Sequence, residues 1–100
     1  MKIKIISLNL VEGGIFWDNI LELFKRENAD IYCLQEASHG GADQPLRFHT
    51  VDRFRKVFPD FYFEYTPEMY QIWPKNDSEW PNAAGNAGNL IISRFPFNSQ

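Results

Sequence analysis

A strand, a helix and a second strand within the first 36 residues constrain this chain more than any other feature. Residues 2–9 are rich in β-branched side chains and begin by alternating lysine with isoleucine, which is typical of a strand. Residues 15–28 carry apolar side chains at helical spacing, with charged residues between them. Residues 31–34 form a short apolar run, which predicts a central strand covered on both faces. Such a strand, crossover helix and strand make an α/β unit.

The remaining sequence predicts one more short helix and two more strands. Residues 51–58 show apolar side chains at helical spacing, as residues 15–28 do. Residues 61–66 are rich in aromatic side chains and predict a strand. Residues 88–97 predict a last strand that ends in a proline turn. Residues 37–46 are polar and glycine-rich, and residues 67–85 carry three prolines, so we interpret both segments as loops.

Composition and charge limit the classes of protein that this sequence can encode. The 100 residues are 44% hydrophobic and 16% aromatic, which argues against disorder. They suit one domain, or a piece of one, and we expect no internal boundary between residues 1 and 100. The net charge is −3 and no basic stripe is present, so the charges do not favour non-specific binding to nucleic acid. An acidic site that recruits Mg²⁺ fits this balance.

The single cysteine and the start of the chain give two further expectations. Cys33 has no partner for an internal disulfide, and no cysteine–histidine spacing indicates zinc, so we interpret it as a small buried hydrophobe. The initiator methionine leads directly into a strand pattern, without the apolar stretch of an export signal. No apolar run reaches the 18 residues of a transmembrane segment. The sequence therefore predicts a cytoplasmic protein.

Two polar residues follow predicted strands at the point where each strand ends, Asn9 after the first and Glu36 after the second. Ligands gather at this edge of α/β sheets. A carboxylate and a carboxamide are hard oxygen donors suited to Mg²⁺ or Mn²⁺, and Mg²⁺ needs only one or two carboxylates. From the residues alone, however, Glu36 is more often a solvated loop residue or a helix cap. Asn9 is more often an ordinary turn residue.

Three segments, in this order, resemble the endonuclease/exonuclease/phosphatase superfamily. They are Ile5-Ile6-Ser7-Leu8-Asn9, Asp30-Ile31-Tyr32-Cys33-Leu34-Gln35-Glu36 and Gly88-Asn89-Leu90-Ile91-Ile92-Ser93-Arg94-Phe95-Pro96. Members commonly begin with a strand that ends in asparagine, and a later strand ends in Leu-Gln-Glu, whose glutamate binds the metal. The Leu-Gln-Glu segment is the most specific of the three, and together they span nearly the whole chain.

The resemblance implies a DNase I-like fold, of which this chain would form half of a four-layered α/β sandwich, a mixed sheet with helices on one face. It also implies a metal-dependent phosphoester hydrolase, whether nuclease, phosphodiesterase or phosphatase. Glu36 would be the principal Mg²⁺ or Mn²⁺ ligand. Asn9 would bind the metal or orient a water on it, so both residues would be catalytic. Asn89 would line the same cleft and contact substrate, although a polar strand-edge residue explains it equally well.

The resemblance covers only the first part of the superfamily domain. In that domain the general-base histidine, its aspartate partner and an Asp-x-Asn group come later, so we expect these 100 residues to be inactive without the remaining half. His39 and His49 lie in a different region, and we interpret both as loop residues. Some members carry an acidic residue where this chain has Val11, and the adjacent Glu12 is a candidate substitute.

Other interpretations remain open at this point. The chain could be a non-catalytic binding module of the same fold, or an α/β domain unrelated to phosphate chemistry. The superfamily uses nucleic acids, phospholipid head groups and small nucleotides, and the sequence does not choose among these phosphoesters. Aromatic side chains can stack on bases, but with so few basic residues between them we favour packing for this set: Tyr62, Phe63, Tyr65, Trp73 and Trp80.

Overall fold

The computed structural model describes residues 2–39, 46–72 and 84–98. In chain order these residues form β1 (Ile5–Asn9), α1 (Trp17–Glu27), β2 (Ile31–Ser38), a 3₁₀ turn (Leu46–Phe48), α2 (Thr50–Val57), β3 (Tyr62–Ile72) and β4 (Ala84–Ser93). The strands make one sheet in the order β1-β2-β4-β3. β1 pairs with β2 in parallel, whereas β4 is antiparallel to both of its neighbours. This mixed sheet with two helices confirms the predicted α/β class.

Both helices form because each has an apolar stripe and charges that suit its ends. α1 buries Ile20 and Phe24, carries an acidic residue in its first turn and basic residues in its last, and so complements the helix dipole. It ends at Asn28, whose left-handed backbone lets its N–H bond to the Phe24 carbonyl at 2.8 Å. α2 buries Val51 and Phe54 in the same way. Neither helix in the described part of the chain is long and apolar enough to cross a bilayer.

The strands are longer than the sequence predicted, which corrects the two loop interpretations. β2 continues to Ser38, into the first predicted loop. β3 continues through residues 67–72, and β4 begins at Ala84, so both strands extend into the second predicted loop, and β4 begins before the predicted start at residue 88. Pro67 misled the prediction because it removes a backbone donor, but it lies in an edge strand where proline is tolerated. The remainders of both predicted loops, residues 40–45 and 73–83, lie outside the described residues. The last strand ends at Ser93, before the predicted proline turn.

The sheet has one face buried under the helices. Tyr32 pairs with Ile92 and Leu34 pairs with Leu90, and all four side chains are almost completely buried. Phe24 of α1 joins this core, with its ring centroid 4.4 Å from that of Tyr32. The Tyr32 hydroxyl donates to the Phe24 carbonyl at 3.4 Å and accepts from the Ala29 amide at 3.0 Å, so its polar end is satisfied inside the core.

The opposite face of the sheet carries apolar side chains that the described residues leave uncovered. Ile5 is 59% exposed and Tyr62 is 47% exposed, and Ile31, Cys33 and Ile91 are half-buried between them. Cys33 is therefore not the buried residue that its apolar context suggested. We call this surface the open face, defined by these five residues.

The open face predicts that residues 1–100, prepared alone, self-associate, because exposed apolar strands pair and pack with one another. Sedimentation velocity over a concentration series should show species larger than a monomer. Replacing Ile5 by Lys, on this face, should shift the distribution towards monomer, whereas Lys25→Glu on the outer surface of α1 should not. A clean monomer of the unmodified residues at all concentrations would contradict the expectation.

Asp30 fastens the sheet at the end where β2 begins. Its carboxylate accepts a hydrogen bond from the Lys4 amide at 2.9 Å and lies 3.0 Å from Nε of Arg94. Its backbone carbonyl also accepts from the Arg94 amide at 2.8 Å. The Lys4 hydrogen bond, and after it the Arg94 guanidinium, hold the pKa of Asp30 below its ordinary value. One residue thus links the start of β1, the start of β2 and the chain that leaves β4.

We predict that Asp30→Asn lowers the melting temperature by a few degrees at neutral pH. Because the pKa of Asp30 is lower in the folded protein, its charged form stabilises the fold above the unfolded pKa of about 3.9. That contribution disappears as the pH falls through the lowered folded-state value. Melting curves of variant and parent protein from pH 7 to pH 2 should therefore converge at the acid end. Asp60→Asn, at an exposed turn position, is the control, and a gap that stays constant with pH would refute the assignment.

Candidate functional site

Parallel pairing of β1 with β2 brings the two candidate ligands to one edge of the sheet. Asn9 is the last residue of β1 and pairs with Gln35, so Glu36 follows directly after the residue beside Asn9. The Leu10 amide extends the pairing by donating to the Gln35 carbonyl at 2.9 Å. Both Asn9 and Glu36 are exposed. Their proximity follows from the geometry of parallel strands, whose carboxyl ends meet at the same edge.

Glu36 lies in a β-bulge that turns it out of the regular strand. On β2, Leu34 pairs with Leu90 and Ala37 pairs with Gly88, so Gln35 and Glu36 together face a single residue of β4. Glu36 has a φ of 55°, in the left-handed region that costs a side-chain-bearing residue roughly 1–2 kcal/mol. The residues on either side of this two-residue bulge are buried, whereas Glu36 is exposed. Glu36 is thus the one exposed residue of β2, and the bulge directs its carboxylate outward.

The turn after β1 holds both candidate ligands through consecutive backbone amides. The Val11 N–H donates to Oδ1 of Asn9 at 2.9 Å, and the Glu12 N–H donates to Oε1 of Glu36 at 3.2 Å. The Gly13 N–H then donates to the Glu36 backbone carbonyl at 2.9 Å. Asn9 thus has the turn role that its sequence suggested, and the same turn brings it together with Glu36.

A buried hydroxyl ties this turn to the helices. Oγ1 of Thr50, the first residue of α2, donates to the Gly13 carbonyl at 2.7 Å and accepts from the Ser38 amide at 3.0 Å. Thr50 is fully buried. Nothing in the sequence marked Thr50, because its partners are main-chain groups from two distant segments. It joins the turn, the end of β2 and the start of α2.

Gln35, in the bulge, and Asn89, opposite it on β4, form a polar row. Gln35 extends over the open face, where its Nε2 lies 3.2 Å from Oγ of Ser7. Asn89 is the β4 residue opposite the bulge, and on its other side it pairs with Thr66 of β3. The structure therefore places Asn89, the candidate substrate contact, one strand away from Glu36.

Gly88 allows β3 and β4 to approach closely next to this row. A Cβ atom at this position would overlap the carbonyl oxygen of Thr66 and lie 2.8 Å from Cα of Pro67. Both are backbone atoms, which cannot turn aside as a side chain can. The close approach coincides with a register shift in β3 between Pro67 and Met69. Only glycine fits here without moving a strand.

We predict that Gly88→Ala destabilises the protein by about 1–3 kcal/mol, the usual cost of overpacking a buried site. Urea unfolding would measure the change. Ala87→Gly, on the adjacent residue, removes a methyl group instead of adding one and should cost less than about 1 kcal/mol. If the Gly88→Ala variant is as stable as the parent, β3 can move away from the added methyl group without strain.

The two histidines lie outside the helices and strands, as the loop interpretation predicted. His39 is exposed just beyond β2, and its ring meets that of Tyr65 edge-on, with 5.7 Å between centroids. His49 immediately precedes α2. Of the aromatic residues considered for base stacking, Phe63 and Tyr65 pack against the hydrophobic core, and burial raises the pKa of Tyr65. Trp73 and Trp80 lie outside the described residues.

The donors at the edge of the sheet suit a hard divalent cation. Within the described ranges, no three histidine, cysteine, aspartate or glutamate side chains lie together in a ready-made metal cage. Glu36 instead offers one exposed carboxylate, and Asn9 offers a carboxamide beside it. Mg²⁺ typically binds through one or two carboxylates and keeps water or phosphate oxygens in its other positions. The donor set is therefore compatible with Mg²⁺ and lacks the nitrogen and sulfur ligands typical of zinc.

Comparisons with known proteins identify the fold. No family model matches the sequence, and no curated protein matches it. Among solved structures, an endonuclease/exonuclease/phosphatase from Beutenbergia cavernae DSM 12333 superimposes with a TM-score of 0.67 at 16% identity. The match covers 98% of this chain but only 27% of that chain. The chain thus spans about a quarter of the protein it matches, and its mixed α/β sheet forms part of the DNase I-like fold predicted from the sequence.

Proposed function

We propose that this chain is the N-terminal portion of a single metal-dependent phosphoester hydrolase domain of the endonuclease/exonuclease/phosphatase type. The parallel pairing that sets exposed Glu36 beside Asn9 carries the proposal. Likeness to a protein of that description over 98% of the chain supports it, since the fold supplies the same sheet edge. The fold alone does not determine the function, because one fold hosts many functions, so the proposal depends on Glu36 and Asn9.

In this proposal Glu36 is the principal ligand of Mg²⁺, or of Mn²⁺, through the carboxylate that the bulge directs outward. The Glu12 N–H occupies one lone pair of Oε1, which leaves the second oxygen for the cation. Asn9 contributes its carboxamide, either as a further ligand or by orienting a water molecule. When bound, the cation would neutralise negative charge that develops on the phosphate oxygens during hydrolysis.

The substrate is a phosphoester, and Asn89 contacts it from the strand beyond the bulge. A carboxamide both donates and accepts hydrogen bonds, so it suits a phosphate oxygen or an adjacent hydroxyl. The net charge of −3 favours recognition through the cation over recognition through a basic surface. We place the group that activates water outside these 100 residues, in the remaining half of the domain. The 100 residues by themselves would then be inactive.

Glu36→Gln in the complete protein tests the proposal. The change keeps the shape of the side chain and removes its charge, so we expect Mg²⁺-dependent hydrolysis to fall about 100-fold or more. Release of nitrophenolate from bis(4-nitrophenyl) phosphate and from 4-nitrophenyl phosphate would report diesterase and monoesterase activity separately. Glu22→Gln, on the exposed surface of α1, is the matched control and should leave the activity unchanged.

Two outcomes would count against the proposal. Unchanged activity in the Glu36→Gln variant would exclude this carboxylate from the metal site. A complete protein that binds phosphoesters but hydrolyses neither substrate with Mg²⁺ or Mn²⁺ would favour the alternative, a non-catalytic binding module of the same fold.

A further inference from the structure

The turn from Val11 to Gly14 has an unusual backbone. Four consecutive residues have positive φ angles, 60° at Val11, 49° at Glu12, 79° at Gly13 and 116° at Gly14. Glycine adopts such angles freely, but Val11 and Glu12 do not, and a β-branched residue there is an outlier. Non-glycine residues remain in this region only where the surrounding structure holds them, and such residues cluster at functional sites.

The left-handed backbone decides where the amides of this turn point. Two successive N–H groups aim at the side-chain oxygens of Asn9 and Glu36, and the next one binds the backbone of Glu36. Thr50 holds the far side of the turn through the Gly13 carbonyl. A turn of ordinary handedness would direct these amides elsewhere.

We propose that the Val11–Gly14 turn positions the metal ligands, and that the backbone N–H of Glu12 sets the orientation of the Glu36 carboxylate. This inference rests on the proposed function, because it assigns a task to the turn only if Glu36 binds a cation. Glu12 is then a positioning residue that acts through its main chain. Its side chain is not a ligand, although Glu12 lies next to the position where some superfamily members carry an acid. Groups that orient metal ligands commonly change metal affinity by about 10-fold to 100-fold when removed.

Replacing the Glu12 amide by an ester deletes this N–H and leaves every side chain in place. Cys33 makes the change accessible, since a synthetic peptide of residues 1–32 can be ligated to the remainder of the complete protein at its thiol. We expect Mn²⁺, titrated by the loss of its free-ion paramagnetic resonance signal, to bind about tenfold more weakly or worse. An ester at Ile15 is the matched control, because it removes a 3.1 Å hydrogen bond to the Val11 carbonyl in the same turn without touching either ligand.

Two further variants separate the main chain from the side chain. Glu12→Ala retains the N–H and should keep Mn²⁺ affinity within about twofold of the parent, far less than the change expected for a lost orienting group. In metal-free protein, Glu36→Gln should move the amide proton resonance of residue 12 upfield, because a neutral acceptor makes the weaker hydrogen bond.

The outcomes distinguish the inference from the proposed function. If Glu36→Gln abolishes Mn²⁺ binding while the esters at residues 12 and 15 behave alike, the positioning role is wrong and the metal site stands. If Glu12→Ala abolishes binding, the side chain is itself a ligand and the inference is overturned. If Glu36→Gln binds Mn²⁺ as the parent does, the proposed function fails first.

Discussion

The parallel pairing of β1 with β2 is the constraint on which the rest of the structure depends. It places Asn9 level with Gln35 and so brings the ends of two strands, far apart in sequence, to one point. The helices follow from it, because α1 must cross one face of the sheet to return the chain for a second parallel strand. Phe24 in the apolar stripe of α1 then packs against Tyr32, and α2 packs beside it through Phe54.

The local irregularities of the sheet concentrate at that same edge. A bulge in β2, a left-handed glutamate, a turn of four positive-φ residues and a glycine that admits two strands at close distance all lie at or next to this edge. The side-chain-bearing residues among them, Val11, Glu12 and Glu36, adopt strained backbone angles, at a cost of order 1–3 kcal/mol each. At the opposite end of the sheet, Asp30 makes ordinary hydrogen bonds and an ion pair, and the left-handed Asn28 nearby is the C-cap of α1. Among the described residues, three of the four side-chain-bearing residues with a positive φ lie at this edge, namely Val11, Glu12 and Glu36, and strained residues tend to cluster at functional sites.

The sequence was informative wherever local pattern decides structure. Apolar periodicity located both helices to within two residues, and the ends of two apolar runs marked Asn9 and Glu36, which parallel pairing brings to one edge. The bulge was not predictable, because one extra residue in a strand leaves no mark on composition and appears only when β4 is laid beside β2. The length of the β3–β4 hairpin was missed for a related reason. Pro67 ends a strand by propensity, yet pairing with β4 continues past it.

The Thr50 hydroxyl, which is shared by two segments, limits which substitutions the protein can accept during evolution. This hydroxyl donates to the Gly13 carbonyl and accepts from the Ser38 amide, so a shift of either segment alone would lengthen one of the two hydrogen bonds. The first turn of α2 contributes no candidate ligand, yet through Thr50 it holds the turn whose amides bind Asn9 and Glu36. Substitutions on the buried side of α2 are therefore constrained in two ways. They must fit the volume of the core, and they must keep Thr50 in place to hold Gly13, almost forty positions earlier in the chain.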